Sequence, residues 1–402
     1  MHCIQNITKD IYWVGGSDRR LELFEGLHIV PKGMAYNSYV LVDKKTVLFD
    51  AVDSSIATLF FENIEEVLKG RKLDYFVINH MEPDHSATIG QLLLRHPEVT
   101  IVANTKIITM IHRFFEIEKT ISIQEVKEGE TLSTGAHELT FLFAPMVHWP
   151  EVMVTYEKTE KVLFSADTFG TFGSLEGNIF ADELNFKEEW LPEARRYYTN
   201  IVGKYGVQTL KLLEKISTLD ISYLCPLHGP MWRTDISWYV EKYTKWASYT
   251  PEEPGVVIAF ASVYGNTDNA ASILANELAK DGVRNIKMFD LSKTDISYCL
   301  SECFRFSHIV FASTTYNGGL FPKMEELLLD IKGHNLTNRT VGVIENGTWA
   351  PTAGRHIKAL LEQMKGMKIV EEVVTVSSAV KADVRGQLEG LAKKIAQDLS
   401  KQ

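Results

Sequence analysis

Four side chains that can bind a metal ion stand within six consecutive positions of the sequence: His80, Glu82, Asp84 and His85. They follow the apolar run LDYFVIN, which predicts a strand buried on both faces. Because side chains two positions apart on an extended segment point the same way, we expect His80, Glu82 and Asp84 to converge, with His85 on the other side of Asp84. The segment therefore predicts parts of two adjacent metal sites, with two ligands for each.

Two ligands are too few for either metal, so further ligands are expected at other strand ends. Three residues follow apolar runs and precede turns marked by Gly or Pro: His148, Asp167 and His228. A carboxylate has two oxygens, so Asp167 can bridge two metals. The predicted ligand sets are His80, Glu82, His148 and Asp167 for one metal, and Asp84, His85, Asp167 and His228 for the other.

The ligand types indicate which metal to expect. A histidine in place of Glu82 would give a nitrogen-rich group, which suits zinc and copper, whereas mixed histidine and carboxylate ligands suit iron or manganese. A bridging carboxylate also stabilises two cations held close together. Zinc has no redox chemistry and would only supply a nucleophilic water, whereas two ferrous ions with open positions can bind and reduce a small diatomic gas.

Each of these residues, taken alone, has a simpler interpretation. A single histidine at a strand end is usually a satisfied polar residue, and Asp167 alone could cap the turn that follows it. Asp50, after the strand TVLF, is either a partner that orients a ligand histidine or a turn aspartate. The other eight histidines have no such context and are interpreted as surface or core residues. The metal hypothesis rests on the ordered set.

Two different patterns of elements position these residues. Up to about residue 250, short predicted strands such as VTIVAN and KVLFSAD are mixed with helical stretches, which indicates an α/β domain with many strands. The segment SYTPEEPG has no periodicity and is typical of a linker. After it, five strands alternate with five helices, which predicts a doubly wound parallel sheet. We therefore predict two domains, residues 1–250 and 251–402.

Composition bounds the function further. The 402 residues are too many for one ordinary core. A formal net charge of -10 without long runs of either sign argues against nucleic acid or an anionic membrane as the main partner. The N-terminus does not resemble a secretory signal, and no stretch reaches the ~20 apolar residues needed to cross a bilayer. The four scattered cysteines form no CxxC pair, which favours a reducing cytoplasm.

The second half opens with a strand, GVVIAFAS, that runs into SVYGNT and a helix. Hydroxyls and backbone N–H groups at a helix N-terminus form an anion site. The loop has neither GxxxxGK[ST] nor GxGxxG, so it predicts neither a nucleoside triphosphatase loop nor a dinucleotide fingerprint. Its pattern resembles the FMN phosphate loop of flavodoxins.

Two later loops leave the carboxyl ends of strands, where the flavin ring of such a sheet is expected. Trp349 is the candidate aromatic wall for that ring, although a lone Trp is more often part of a core. The predicted FMN-binding residues are Ser262, Val263, Tyr264, Gly265, Asn266 and Thr267 in the first loop; Ser313, Thr314, Thr315, Tyr316, Asn317, Gly318 and Gly319 in the second; and Asn346, Gly347, Thr348, Trp349 and Ala350 in the third.

The order H-x-E-x-D-H, His, Asp, His resembles the metallo-β-lactamase fold, and Glu82, the HWP segment and a following flavin domain resemble the flavodiiron proteins (A-type flavoproteins) over essentially the whole chain. The resemblance implies an N-terminal metallo-β-lactamase-like αββα sandwich and a C-terminal flavodoxin-like sheet of five parallel strands. It also implies two irons and FMN, and an oxidoreductase that reduces O2 to water, NO to N2O, or both. Thr314, where many members have proline, and the WAPTAG segment depart from the family and affect the contacts expected with the ring.

The resemblance extends to partners and to the rim of the metal site. It implies a head-to-tail homodimer or a dimer of dimers, and an electron donor such as rubredoxin or a reduced deazaflavin. Tyr198 matches a tyrosine near the site in relatives, and Glu25 stands where relatives often have histidine. Glu25 is either a proton-passing acid or a solvated surface residue. Two other functions stay open: a zinc hydrolase with a flavodoxin-like accessory domain, and a pure electron carrier. The sequence does not rank O2 and NO.

Overall fold

The structure is a computed structural model that describes residues 2–118, 120–370 and 372–401. The chain divides into two compact units, and each is described by itself. The first unit consists of Met1–Tyr198 and Val207–Tyr243, and the second of Thr199–Gly206 and Thr244–Gln402. The division thus falls after Tyr243, earlier than the residue 250 expected from the linker, and a short segment of the first half groups with the second unit.

The strands of the first half are short. They are β1 (Gln5–Asn6), β2 (Ile11–Trp13), β3 (Gly16–Asp18), β4 (Leu23–Phe24), β5 (His28–Ile29), β6 (Met34–Tyr36), β7 (Tyr39–Val42), β8 (Thr46–Phe49), β9 (Tyr75–Val77), β10 (Thr100–Ala103), β11 (Ser122–Glu125), β12 (Thr131–Ser133), β13 (Glu138–Phe143), β14 (Met153–Glu157), β15 (Val162–Phe164) and β16 (Tyr223–Cys225). The helices are α1 (Ala57–Leu68), α2 (Pro83–Ser86), α3 (Ile89–Arg95), α4 (Thr105–Phe114), α5 (Leu191–Tyr197), α6 (Gly206–Ile216) and α7 (Ile236–Ala247).

Two main sheets organise the first unit. A seven-stranded sheet has the order β1-β2-β7-β8-β9-β10-β11, in which β8 to β11 pair in parallel. A five-stranded sheet has the order β12-β13-β14-β15-β16, in which β15 and β16 are parallel. The carboxyl ends of neighbouring parallel strands lie at one edge of a sheet, which is where α/β proteins place their sites.

Local sequence explains why these elements form. In α1, Phe60, Ile64 and Val67 recur at helical spacing and are buried, and the helix ends where Lys69 adopts a left-handed conformation. In α4, the side chain of Asn104 accepts hydrogen bonds from the backbone N–H groups of Lys106 and Ile107, which caps the first turn. The central strand β8 is fully buried, and three of its four residues, Val47, Leu48 and Phe49, are apolar.

The second unit contains the predicted alternation of strands and helices. Its elements are β17 (Glu253–Ala261), α8 (Asn266–Lys280), β18 (Ile286–Asp290), α9 (Ile296–Arg305), β19 (Phe306–Tyr316), β20 (Gly319–Leu320), α10 (Pro322–Gly333), β21 (Thr340–Asn346), α11 (Ala353–Leu361), β22 (Lys368–Ile369), β23 (Val374–Val376) and α12 (Ala382–Leu399).

The main sheet of this unit has the order β18-β17-β19-β21-β22, and all of these pairs are parallel. The predicted fifth strand consists of two short strands, β22 and β23, which pair with different parts of β21. The order reverses at β17, so the carboxyl ends of β17 and β19 border the switch point where a ligand is expected. Among the described residues, no helix has the length and apolar character needed to cross a membrane.

Candidate metal centre and flavin site

The four clustered ligands follow strand β9 and lie in two different backbone conformations. His80 and Glu82 lie in the turn after the strand, whereas Asp84 and His85 lie in the short helix α2, which begins at Pro83. Pro at the first helical position is favourable because it has no N–H to leave unpaired. The expectation that Asp84 extends the row of His80 and Glu82 is wrong, because the chain turns into a helix at Pro83. This change of backbone separates the four side chains into two pairs.

The first pair converges with His148 and Asp167. Glu82 Oε2 lies 3.2 Å from His80 Nε2 and 3.0 Å from His148 Nε2. Asp167 Oδ2 lies 3.0 Å from His148 Nε2 and 3.4 Å from His80 Nε2. Two atoms that bind one metal at about 2.1 Å, at roughly a right angle, are about 3 Å apart. These four side chains therefore have the spacing of ligands around one ion.

The second pair converges with His228. Asp84 Oδ2 lies 3.3 Å from His85 Nε2 and 3.2 Å from His228 Nε2. The other oxygen of Asp167, Oδ1, lies 3.1 Å from His85 Nε2 and 3.7 Å from His228 Nε2. Asp167 thus presents one oxygen to each group. All seven side chains predicted to bind metal are brought together in the predicted two sets.

Buried polar atoms show that cations fit these two groups. Both carboxylate oxygens of Asp84 and Oδ1 of Asp167 are buried without a hydrogen-bond partner, as is His85 Nδ1. A buried, unpaired carboxylate is costly unless it is matched by positive charge. His85 Nε2 also lies 3.0 Å from His228 Nε2. If neither Nε2 atom carries a proton, their two lone pairs point at each other, which is unfavourable. Two divalent cations would relieve both unfavourable features.

Electrostatics within the groups follows the same geometry. Burial is the main cause that raises the pKa of Asp84 to about 8. The negative charges of Glu82 and Asp167 also raise this pKa, whereas the nearby His85 lowers it. Burial also acts to raise the pKa of Asp167, but the neighbouring histidines outweigh it and hold that pKa well below its usual value. The two carboxylates therefore differ strongly, with Asp167 the more firmly ionised.

Outer contacts hold the histidines in place. His228 Nδ1 lies 2.8 Å from the backbone oxygen of Ala35, and His80 Nδ1 lies 2.8 Å from Oε1 of the buried Glu151. Asp50 accepts hydrogen bonds from the backbone N–H groups of Asn79 and His80, so it fixes the turn rather than an imidazole ring. Glu151 was not predicted. Its only sequence signal is its position three residues after His148, which a surface glutamate could equally occupy.

The two predicted rim residues have different positions. Glu25 is exposed as a residue, yet partial burial of its carboxyl group, together with the charge of nearby Glu82, raises its pKa to about 8. Tyr198 is buried and its ring packs 5.0 Å from that of Tyr243. The preceding Tyr197, which was not singled out, lies 5.4 Å from the His228 ring, and its buried hydroxyl has no hydrogen-bond partner. The roles proposed for Glu25 and Tyr198 stay predictions.

The second unit contains a cavity of about 560 Å³ at the carboxyl ends of its strands. The three predicted loops line it, and Trp349 and Tyr264 at its border are 82% and 94% exposed. Large exposed aromatic rings beside a cavity indicate a surface that a planar ligand covers. Gly265, with a φ of 89°, precedes α8, and its N–H donates to Ser262 Oγ, so the loop has the tight turn an anion site needs.

The lining differs in part from the prediction. Predicted residues that line the cavity are Ser262, Val263, Tyr264, Asn266, Thr267, Thr314, Thr315, Asn317, Gly318, Asn346, Gly347, Thr348, Trp349 and Ala350. Gly265, Ser313, Tyr316 and Gly319 are not among the lining residues; Ser313 is buried and donates to the backbone oxygen of Thr314. Thr352, Arg355 and Ser378 also line the cavity. Thr352 lies in the WAPTAG segment of the third predicted loop, just beyond the predicted residues that end at Ala350, whereas Arg355 and Ser378 lie outside the loop motifs and were not predicted.

Comparison with known protein families and sequences identifies relatives of this chain. A family model described as ODP family beta lactamase matches residues 34–229. The chain is 31% identical over 364 residues to the anaerobic nitric oxide reductase flavorubredoxin of Vibrio vulnificus, which covers 89% of this chain and 72% of that protein. It is 28% identical over 394 residues to an uncharacterized protein of Methanocaldococcus jannaschii, with 98% of both chains covered.

Solved structures match over both units. Rubredoxin oxygen:oxidoreductase from Desulfovibrio gigas has a TM-score of 0.92 at 29% identity, with 99% of both chains covered. The flavodiiron protein from Giardia intestinalis has a TM-score of 0.93 at 25% identity, with 99% of this chain and 97% of that chain covered. The predicted fold class, a metallo-β-lactamase-like part followed by a flavodoxin-like sheet, is confirmed.

Proposed function

The chain belongs to the flavodiiron protein family, and on that premise we propose that it is an oxidoreductase that reduces O2 to water, NO to N2O, or both. The observation that carries the proposal is the seven-residue group in which Asp167 shares its two oxygens between two ligand sets. Three carboxylates among seven ligands favour iron over zinc. The flavin cavity in the same chain provides a place for the electron donor to that centre.

The residues define what each part supplies. The two ligand sets, one that contains His80 and one that contains His85, would hold two iron ions, which would bind the gas and pass electrons to it. The second unit would hold FMN, a carrier that takes up two electrons and releases them singly. Reduction of O2 to two waters needs four electrons and four protons, and reduction of two NO to N2O and water needs two of each. The ring of Tyr197 lies 5.4 Å from that of His228, and its buried hydroxyl has no hydrogen-bond partner, so Tyr197 is a candidate to orient a small substrate.

Partners belong to the same proposal. The names of two relatives, flavorubredoxin and rubredoxin oxygen:oxidoreductase, support rubredoxin as the electron donor, with a reduced deazaflavin as the alternative. We propose a head-to-tail homodimer, or a dimer of dimers, on the strength of the family resemblance. The four scattered cysteines, all of which are free thiols, support a reducing cytoplasm as the proposed location.

Metal analysis and rapid mixing test the function. Anaerobically purified protein should contain two iron per chain and one FMN. After reduction, it should be mixed in a stopped-flow instrument with O2 and, separately, with NO, and the flavin and iron spectra followed. Reoxidation by either gas within the mixing experiment supports the proposal. Two zinc per chain, with no gas consumption after iron is supplied, would overturn the redox proposal.

Mixed subunits test the dimer. His80→Gln removes a metal ligand, and Ser262→Ala with Thr267→Ala removes hydroxyls from the phosphate loop. Neither variant alone should turn over. In a head-to-tail dimer, co-refolded subunits should regain up to about a quarter of the wild-type rate, because half of random dimers are mixed and each has one complete flavin–iron pair. No recovery in mixed samples would favour electron transfer within one chain.

A further inference from the structure

The buried carboxylate of Glu151 makes a contact that the proposed reaction does not yet use. Glu151 is 1% exposed, and its Oε1 accepts a hydrogen bond from the backbone N–H of Met81 and lies 2.8 Å from His80 Nδ1. The same ring presents Nε2 to Glu82 and Asp167. A carboxylate on one nitrogen of an imidazole fixes the proton there and leaves the other nitrogen free to bind metal.

A second set of contacts fixes Glu151 itself. Asn104, the residue that caps α4, donates from its side-chain amide to the backbone oxygen of Glu151 at 2.7 Å. Lys106 donates from Nζ to the backbone oxygen of Pro150 at 3.1 Å. The start of α4 thus holds the peptide groups on both sides of Glu151.

A cavity lies next to Glu151. It has a volume of about 220 Å³ and is lined by Glu151 together with Thr105, Lys106, Phe143 and Pro150. The second oxygen of Glu151, Oε2, is buried and has no hydrogen-bond partner. A water molecule occupies about 30 Å³ in the liquid, so the cavity is large enough for several waters or for a small carboxylate.

We propose that Glu151 is a positioning residue that sets the tautomer and basicity of His80, and that it acts on one of the two metal sites only. The inference rests on the proposed function, since it concerns the iron ligands. The comparison with His228 supports it, because His228 Nδ1 faces the neutral backbone oxygen of Ala35. An anionic partner makes an imidazole a stronger ligand than a neutral partner does. The two sites therefore differ in their outer contacts.

Cobalt binding tests this without turnover. Metal-free protein that retains FMN is titrated with Co²⁺, and the visible ligand-field bands are followed. Wild-type protein should bind two Co²⁺. Glu151→Gln should weaken one Co²⁺ about 10- to 100-fold, with a shift of its bands, and should weaken the other Co²⁺ by a clearly smaller factor, with its bands unchanged. The matched control is Glu157→Gln, which removes a buried carboxylate that lies 3.0 Å from Nδ1 of His137, outside the seven-residue group.

Rescue separates positioning from mere structural support. In Glu151→Ala the lost side chain opens onto the 220 Å³ cavity, so added formate should reoccupy the place of the carboxylate and restore the weakened cobalt site. Chloride at equal ionic strength should not, and formate should have no effect on Glu151→Gln. Circular dichroism checks that the variants fold, and if Glu151→Ala does not, the cobalt titration of Glu151→Gln decides, because that variant keeps the shape of the side chain.

Three results would overturn the inference. They are unchanged binding of both Co²⁺ ions in Glu151→Gln, equal weakening of both sites, and weakening that formate cannot reverse. Failure of the proposed function looks different, because wild-type protein would then fail to bind two metals or to consume either gas.

Discussion

His85 and His228 face each other through their Nε2 atoms at 3.0 Å, with ring planes inclined by 56°. A single proton shared between these two Nε2 atoms would leave Asp84 unsatisfied, because both oxygens of Asp84 also lack a hydrogen-bond partner. A cation between the two rings and Asp84 explains all three positions at once. The geometry of ligands around an ion is thus built into the fold of the chain.

Asp167 should be the ligand whose loss is felt at both sites. Asp167→Asn keeps the shape of the side chain but replaces its two anionic oxygens by one neutral oxygen and one NH2 group. We therefore expect loss of at least one iron per chain and a fall in gas consumption of more than about 100-fold. Iron analysis and an oxygen electrode measure both. Asp43→Asn is the control, since Asp43 accepts hydrogen bonds from Thr134 and His137 instead. Retention of two irons in Asp167→Asn would contradict the bridging geometry.

Gly229, directly after His228, should not tolerate a side chain. Its φ is 73°, and a Cβ would lie 2.0 Å from Thr171 Cγ2. Gly177→Ala is the control, because Gly177 also has a positive φ but a Cβ there would meet nothing within 4 Å. We expect Gly229→Ala to lower the free energy of unfolding by about 1–3 kcal/mol more than Gly177→Ala, which is the usual cost of overpacking. Denaturant titration measures the free energy of unfolding of both variants. Equal decreases would show that the loop shifts to accommodate the new side chain.

His137 should give a pH-dependent contribution to the stability of the first unit. Burial lowers its pKa, but the hydrogen bond to Glu157 and the charge of Glu157, with a further hydrogen bond to Asp10, outweigh burial and raise the pKa above the ordinary 6.5. The stabilisation is therefore complete below about pH 6.5 and is lost as the pH rises through the folded-state pKa. The difference in unfolding free energy between wild type and His137→Gln should be largest near pH 6 and shrink toward pH 9. A difference that grows with pH would contradict this sign.

Trp349 should stabilise bound FMN by packing on its ring. An aromatic pair of this kind contributes about 0.5–1.5 kcal/mol, so Trp349→Ala should weaken FMN binding by about 2- to 10-fold. Fluorescence titration of flavin-free protein measures the dissociation constant. Leu329→Ala removes another exposed apolar side chain, which is 49% exposed and does not line the cavity. If both variants bind FMN like wild type, Trp349 does not cover the ring.

The convergence of the seven side chains was predictable because four of them follow one apolar strand, and the other three each follow an apolar run and precede a turn marked by Gly or Pro. The pairing within the cluster was reached by extrapolating extended backbone past Pro83, where the chain is in fact helical. The two sets came out as predicted because the helix also separates Asp84 and His85 from the first pair. A Pro at N1 is the signal that would have shown this.

The rim and the flavin loops were harder to predict. Neighbouring residues on a helix point about 100° apart, so Tyr197 and Tyr198 cannot be told apart without the helical phase, and α5 passes directly into a π-helical turn at Tyr198–Val202. Glu151 carries no motif, because its role depends on the fold bringing it to His80. Arg355 and Ser378 reach the flavin cavity from a helix and from a strand end outside the loop motifs.

The sharing of Asp167 has a thermodynamic consequence for how the centre fills. A ligand common to two sites makes their affinities interdependent, and such linkage is reciprocal. The first cation would hold Asp167 in the orientation the second needs, while its charge would oppose the second ion's arrival. The steepness of a metal titration therefore reports the balance of these two effects. If the effect on orientation dominates, cells short of iron would contain chains whose centre is either empty or complete.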